Sequence, residues 1–431
     1  MTQSSLLPDS AEVRNGRLVL GGVDAESLVQ EHGSPLFVYD AASLRARAKA
    51  YVEPLRAVGG RAAFACKALP VPGILDQLRR AGMIADVASA GEIAAARLAG
   101  FPGRDLVVHG NAKTRSDLEA AIAADAGLVV LDAPEEAELL ADLCRAAGRR
   151  QDVLVRITPA IGVTTHEKIA TGHAGSKFGL EPARAVRLVG SLPSSLAFRG
   201  LHVHLGSQIV DDAPLVAVAR FVAELTRANG LRCEVLDLGG GLGVSYRAGT
   251  AGPDPRSFAR SLVTDAGEQF RAAGLDVPRL IVEPGRSVVA QAGVTLYRVV
   301  VVKETAAGTS WVAVDGGFGD NLRSALYDAP YEPFLAARPG ATATGRFDLA
   351  GHHCESGDVI ARDVHLPDPR PGDVVAVPMT GAYHQSLAST YNLYGRPAAV
   401  LVENGASTLV TRRETIDDLL ARELPLGRER A

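Results

Sequence analysis

The chain has 431 residues, of which 47% are hydrophobic and 22% charged, with a formal net charge of −4. That length exceeds one ordinary domain and can bury a large core, and no polar or low-complexity run argues for disorder. Basic residues are scattered over a slightly acidic chain and no apolar run reaches membrane-spanning length, so nucleic acid and membrane are excluded as partners and a small-molecule ligand is expected. The N-terminal "MTQSSLLPDSAEVRNGRL" lacks a basic segment followed by an apolar one, which makes the cytoplasm the expected location.

In chain order, residues 1 to 35 carry strand-like material such as "RLVLGG" and are expected to join a β domain. Over residues 36 to 300, short β-branched runs alternate with amphipathic stretches. The runs are "PLFVY", "RAAFACKA", "ADVAS", "LVVHG", "GLVVLD", "DVLVRI", "LHVHLGS", "VLDLGGG" and "RLIVEP". Between them, in stretches such as "AGEIAAARLAGF" and "EEAELLADLCRAAG", apolar residues recur at helical spacing of three and four. Repeated strand–helix units mean a parallel sheet. Roughly eight units, with polar residues just after many strands, imply an α/β fold, a closed (β/α)8 TIM-type barrel with its functional side chains at the carboxyl ends of the strands. From 301 to 431 the runs shorten to "SWVAVDGG", "RFDLAG", "DVVAVP" and "AAVLVE", broken by Gly, Pro and Asp, and predict an antiparallel β-sandwich or barrel. Residues 415 to 431 read as a short charged helix or tail.

Several stretches could carry chemistry. "FACKALP" puts Lys67 in an apolar strand near the start of the barrel, and a buried lysine invites a purpose, such as a Schiff base to a carbonyl. "HVHLGSQ" supplies His202, His204 and Ser207; strand alternation puts both histidines on one side, but without a carboxylate at ligand spacing a core or stacking role is favoured over a metal. "VLDLGGGLGV" brings Gly239, Gly240, Gly241 and Gly243 after a strand, as a phosphate cradle or as a tight turn. "EPGR" offers Glu283, Gly285 and Arg286, either a surface ion pair or an acid pointing into a barrel mouth. Lysine, cradle and acid together suggest pyridoxal phosphate. Cys66, Cys144, Cys233 and Cys354 show no CxxC pairing, which disfavours a zinc knuckle or redox dithiol, and a lone cysteine is most simply a small buried apolar residue.

In order along the chain, "ACKA", "DVASAGEI", "HGNAKT", "ATGHAGSKFGL", "HVHLGSQ", "LDLGGGLG", "EPGR", "LRSALYDA", "HHCESGD" and "TGAYHQSLASTYN" resemble the fold-type III pyridoxal-phosphate decarboxylases. The resemblance is strongest to the diaminopimelate decarboxylases of lysine biosynthesis and spans about residues 35 to 410. It implies that Lys67 holds pyridoxal 5'-phosphate as a Schiff base and that Glu283 pairs with the pyridine nitrogen. It also implies that His204 stacks on the ring, that Asp86 lies near Lys67, and that Ser207, Gly240, Gly241, Gly285, Arg286 and Tyr383 surround the phosphate or its edge. Arg323 and Tyr327, with Arg286, match the residues that receive the substrate's distal carboxylate, Glu355 matches the reader of its distal ammonium, and Tyr383 is implied to contact the substrate as well. Cys354 matches the acid that protonates the carbon left by CO2, and "CESGD" is implied to reach the active site of the neighbouring subunit, so the enzyme would be a homodimer with shared sites.

The sequence departs from that pattern in three places: "KALP" after the lysine, His384 with Met379 around "TGAY", and the "DAPYEP" segment. These leave room for a sibling decarboxylase of a specialised pathway acting on another substrate with a distal carboxylate. An alanine-racemase-like enzyme is disfavoured because racemases do not carry "CESGD". A catalytically dead regulatory homologue is disfavoured because Lys67, Glu283 and Cys354 are all present.

Overall fold

The computed structural model describes residues 4–159, 176–424 and 426, so the "ATGHAGSKFGL" motif is described only from Ser176 onward. Eight strands close a barrel: β1 (Arg61–Ala65), β2 (Ile84–Val87), β3 (Leu106–Val108), β4 (Leu128–Leu131), β5 (Gln151–Arg156), β6 (Leu196–His202), β7 (Val235–Asp237) and β8 (Arg279–Val282). Each pairs in parallel with the next, and β8 returns to β1. Strands β2, β3, β4 and β7 are buried at every residue, which explains why their sequences read as continuous apolar runs. Ala63, Ile84, Val107, Leu128, Val130, Leu154, Val235 and Ile281 form a single buried cluster drawn from seven of the strands.

The helices start where the sequence supplies caps. The Ser89 side chain accepts from Glu92 N to open Ala90–Leu98, and Thr114 and Asp117 make a reciprocal capping box that opens Arg115–Ala123. These caps fix where the chain leaves each strand end, and the candidate functional residues stand at those exits.

The chain divides into two compact units, Arg45–Val244 with Gly252–Val288, and Met1–Leu44 with Ser245–Ala251 and Val289–Ala431. The "PLFVY" run, grouped with the barrel by its pattern, lies in the second unit. There Leu36–Asp40 pairs antiparallel with Gly293–Glu304 and parallel with Ala398–Glu403. A fully buried strand has the same apolar sequence wherever it pairs, so pattern alone cannot choose its sheet.

The second unit is built on a nine-stranded sheet that is mostly antiparallel. This agrees with the antiparallel β domain expected from the sequence, and two of its pairings, Leu36–Asp40 with Ala398–Glu403 and Ser310–Val314 with Gly345–Ala350, are parallel. Both pairs are joined by long connections rather than hairpins, and a long connection lets a strand return in either direction. The N-terminal strands Glu12–Arg14, Arg17–Leu20 and Val23–Asp24 form their own three-stranded sheet, and Leu18, Leu20 and Leu28 pack into one core cluster with Leu36, Val38, Val294, Leu296, Val400 and Val402. Near the C-terminus Thr415 and Asp418 cap a short helix, Ile416–Leu420.

Candidate active site

In the barrel unit the polar residues collect at the carboxyl ends of the strands. Strand β1 ends at Ala65, and the chain turns into a 3-10 helix, Cys66–Ala68. Lys67 therefore lies beyond the strand rather than in it, and it is exposed while Cys66 and Ala68 are buried, which corrects the expectation of a buried strand lysine. The turn rotates alternate side chains off the packed face, so the amine stands at the barrel mouth. Asp86, in β2, is buried, and burial pushes its carboxyl up to about 7 against the opposing charges of His109 and Lys67.

The centre of the site is Glu283, one residue past β8. Its Oε1 lies 2.5 Å from His109 Nε2 and its Oε2 lies 3.4 Å from His202 Nε2. The 2.5 Å contact is a charge contact out of line for a hydrogen bond, because neither His109 Nε2 nor Glu283 Oε1 has a hydrogen-bond partner among the described residues. Burial works against the Glu283 carboxylate, but the two histidines overcome it and hold the group well below the usual range. Asp237, at the end of β7, is fully buried, and burial reinforced by the Glu283 charge pushes its carboxyl well up. Burial drives His202 down to about 3, while His109 is held above its ordinary value, since Glu283 and Asp86 outweigh its burial. The result is a Glu283 that favours its anionic form, between one imidazole that favours its charge and one that resists it, beside an Asp237 that resists ionisation.

Strand β6 ends at His202, so His204 is no longer on a shared strand face; it is half-buried, and its Nδ1 accepts from Gly240 N at 3.2 Å. The glycine run is forced by close approach. A Cβ at Gly240 would sit 2.0 Å from Glu283 O, and one at Gly241, where φ is +111°, would sit 2.2 Å from Gly206 O. Gly285 is buried beside them, and Arg286 Nη2 donates to Ser207 Oγ at 3.3 Å. The donor atoms of His109, His202, Asp237 and Glu283 lie within 4.8 Å of one another, so the carboxylates that the sequence could not pair with His202 come from other strands. The histidine nitrogens there already face Glu283.

His109, Arg156 and Asp237 have no role in the sequence reading. The signal was present, since each is the last residue of its strand or the next one, and that is where barrel chemistry sits. Arg156 Nε lies 4.0 Å from Asp132 Oδ1, and its guanidinium carbon is 4.4 Å from the centroid of the Phe178 ring.

Residues 41–290 match the model of the pyridoxal-dependent decarboxylases, pyridoxal binding domain. The chain is 44% identical over 428 residues to a diaminopimelate decarboxylase of Actinosynnema pretiosum subsp. auranticum, covering 98% of this chain and 96% of that protein. The chain belongs to the pyridoxal-dependent decarboxylase family. It is also 39% identical to a diaminopimelate decarboxylase of Bacillus subtilis (strain 168), covering 96% of this chain and 97% of that protein. The crystal structure of diaminopimelate decarboxylase from m. jannaschii in co-complex with L-lysine matches with a TM-score of 0.89 at 32% identity, covering 97% of this chain and 98% of that one. The family's cofactor is pyridoxal phosphate, and the residues of this decarboxylase fit it. Lys67 offers an amine, Glu283 a buried anionic oxygen, Arg286 a cation, and Gly240 and Gly241 backbone that no side chain can crowd.

The other predicted site residues lie in the β unit. The turn His352–Asp358 is organised by Asp358, which accepts from Phe318 N (2.6 Å), His353 N (2.8 Å) and His353 Nδ1 (2.9 Å). It presents Cys354 and Glu355 as exposed residues, and Cys354 N donates to Asn392 Oδ1 at 2.8 Å. Arg323 is buried in a tyrosine cage. Its Nη1 donates to Tyr246 OH (2.8 Å) and Tyr331 OH (3.0 Å), its guanidinium carbon lies 5.9 Å from the Tyr327 ring centroid, and its Nε has no hydrogen-bond partner among the described residues. His384 is buried with its ring edge-on to Tyr331, centroids 5.4 Å apart. Tyr383 is half-buried with φ +63°.

Proposed function

We propose that this decarboxylase converts meso-diaminopimelate to L-lysine and CO2. The observation that carries the reading is the set of an amine, a buried ionised carboxylate and a glycine cradle at one end of a barrel, in a chain 44% identical over nearly its whole length to a diaminopimelate decarboxylase. Bound pyridoxal phosphate supplies the ring that accepts the electron pair left as CO2 departs.

Lys67 holds the cofactor through its amine, with Asp86 beside it. Glu283 keeps a proton on the ring nitrogen, and its depressed pKa suits that task. His204 lies against the ring, while Ser207, Gly240, Gly241, Gly285, Arg286 and Tyr383 receive the phosphate and its edge. Arg323 with Tyr327 and Arg286 takes the substrate's distal carboxylate, and Tyr383 also contacts the substrate. Support comes from the Arg323 guanidinium, whose charge the two tyrosine hydroxyls hold in a buried place while Nε stays open to a further acceptor. Glu355 meets the distal ammonium.

Cys354 donates the proton to the carbon that lost CO2. A thiol and a carboxylate exposed on a rigid turn are well placed to serve a second copy of the chain, so the active form is a homodimer in which Cys354 and Glu355 complete the partner's barrel site. No helix among the described residues is long and apolar enough to cross a membrane, and the enzyme is assigned to the cytoplasm.

The test is CO2 release from the cofactor-loaded protein given meso-diaminopimelate, with the product identified by mass. Lysine at about 1 per second or faster supports the assignment. A loaded enzyme that ignores diaminopimelate refutes it.

A further inference from the structure

None of the proposed cofactor or substrate contacts uses "HGNAKT", the loop from His109 to Thr114 between β3 and the helix Arg115–Ala123. Lys113 in this loop has a completely buried side chain. Its Nζ lies 2.6 Å from Glu136 Oε1 and donates to Gly110 O (2.8 Å) and Val130 O (2.7 Å). A buried ammonium is tolerated only when its partners are in place, so Lys113 pins one end of the loop. At the other end His109 N donates to Val87 O at 2.7 Å. The imidazole Nε2 lies 2.5 Å from Glu283 Oε1 and 3.8 Å from Asp86 Oδ1.

Each oxygen of Glu283 thus has its own histidine, and the two rings meet edge to face with centroids 4.8 Å apart. They are not equivalent. His202 is 1% exposed and burial drives its pKa down to about 3, whereas His109 stands between two carboxylates that hold its pKa above the ordinary value. The remaining groups that face Glu283 are Arg156 from β5, Asp237 from β7, Asp86 from β2 and His204 beyond β6. Asp237 is held neutral by burial.

We propose that His109 is a positioning residue for Glu283: anchored through Lys113, it keeps that carboxylate ionised and oriented, and so sets the pH range over which the cofactor's ring nitrogen stays protonated. This rests on the assignment of Glu283 to that nitrogen. Without His109 the carboxylate takes up a proton more readily, its hold on the ring proton weakens, and the ring proton is lost at lower pH.

The test compares cofactor-loaded wild type with His109→Leu, His109→Gln and Glu283→Gln. It reads the pH midpoint of the bound cofactor's visible band, the cofactor affinity of the apoprotein, and kcat and KM with meso-diaminopimelate. In His109→Leu the midpoint should fall by about one to two units and kcat by about 10- to 100-fold, which is what one to two pKa units convert to, while KM stays within about twofold. His109→Gln can offer an N–H to Oε1 but no charge, so it should recover cofactor affinity and keep the shifted midpoint. If His109→Leu fails to fold, the Gln variant decides by the same midpoint. A wild-type midpoint in the His109 variants overturns the inference if Glu283→Gln is altered. If Glu283→Gln is also unaltered in band, affinity and turnover, the assignment of Glu283 fails instead.

Discussion

Asp358→Asn is the most informative single perturbation of the turn that carries Cys354. The Asp358 carboxylate is buried and accepts three hydrogen bonds, Oδ1 from Phe318 N and Oδ2 from both His353 N and His353 Nδ1. It also fits tightly, because a Cβ on Gly351 or Gly317 would lie 2.2 to 2.4 Å from its oxygens. Asparagine keeps the shape but has one acceptor oxygen. With that oxygen on the His353 side, its NH2 opposes the Phe318 N–H, so one charge-assisted bond is lost and two lose their charge. At about 1.5–3 kcal/mol for a hydrogen bond to a charged group, the total cost is about 2–4 kcal/mol. The turn itself, closed by Asp358 N to Glu355 O (3.0 Å) and Gly351 N to Asp358 O (3.0 Å), should loosen. The urea midpoint should drop by about 1 M, given a slope of roughly 3 kcal/mol per molar. Alkylation of Cys354, followed by peptide mass spectrometry with buried Cys66 and Cys144 as internal references, should speed up at least twofold and turnover should fall. A variant with the wild-type midpoint, alkylation rate and turnover refutes the role given to Asp358.

Asp320, buried against Tyr297 OH and Gly317 N, has its carboxyl pushed up to about 7 by burial. Its folded pKa lies above the unfolded value near 4, so the folded state binds more protons between those values and stability declines as pH rises through that window. Asp320→Asn removes this titration. It should gain a few kcal/mol on wild type at pH 8.5 relative to pH 4, and chemical denaturation at the two values checks this; equal differences at both contradict it. Gly241→Ala forces a Cβ against Gly206 O at a left-handed φ and should weaken cofactor binding by about 100-fold or more, seen by titration of the apoprotein. Tyr331→Phe removes one of the two hydroxyls that hold Arg323 Nη1, and should raise KM for meso-diaminopimelate about 10-fold or more with kcat little changed. Lys67→Ala and Cys354→Ala should each be nearly inactive; mixing them should restore at most about a quarter of wild-type turnover if sites are shared across a dimer, and no recovery removes the shared site.

The Arg323 cage shows what one dimension hides. In the sequence "DAPYEP" and His384 stand as separate departures, and Tyr246 is unmarked. Folded, Tyr331 of "DAPYEP" bonds Arg323, His384 packs against Tyr331, and Tyr246 supplies the second hydroxyl. The sequence marks such residues as departures but cannot show that they touch. Lys67 teaches the reverse lesson. Its apolar context predicts burial, yet a single 3-10 turn after Ala65 carries it out to solvent, a rotation that hydrophobic pattern does not encode.

Local order fixes much of this protein. Strand–helix alternation dictates a parallel barrel, caps such as Ser89 and Thr114 set where its helices begin, and the position of a polar residue at a strand's end identifies the site. These features depend on neighbours a few residues apart, so they are legible in the sequence. What the tertiary structure alone decided is which distant groups share charge. Leu36–Asp40 chose the β sheet over the barrel, and His109, His202, Asp237 and Glu283, from four separate strands, converged into one buried proton-sharing set. Barrel closure brings those strand ends together and excludes water from between them. Charge interactions grow as water is removed, so the protonation of Glu283 belongs to the fold rather than to the motif that contains it.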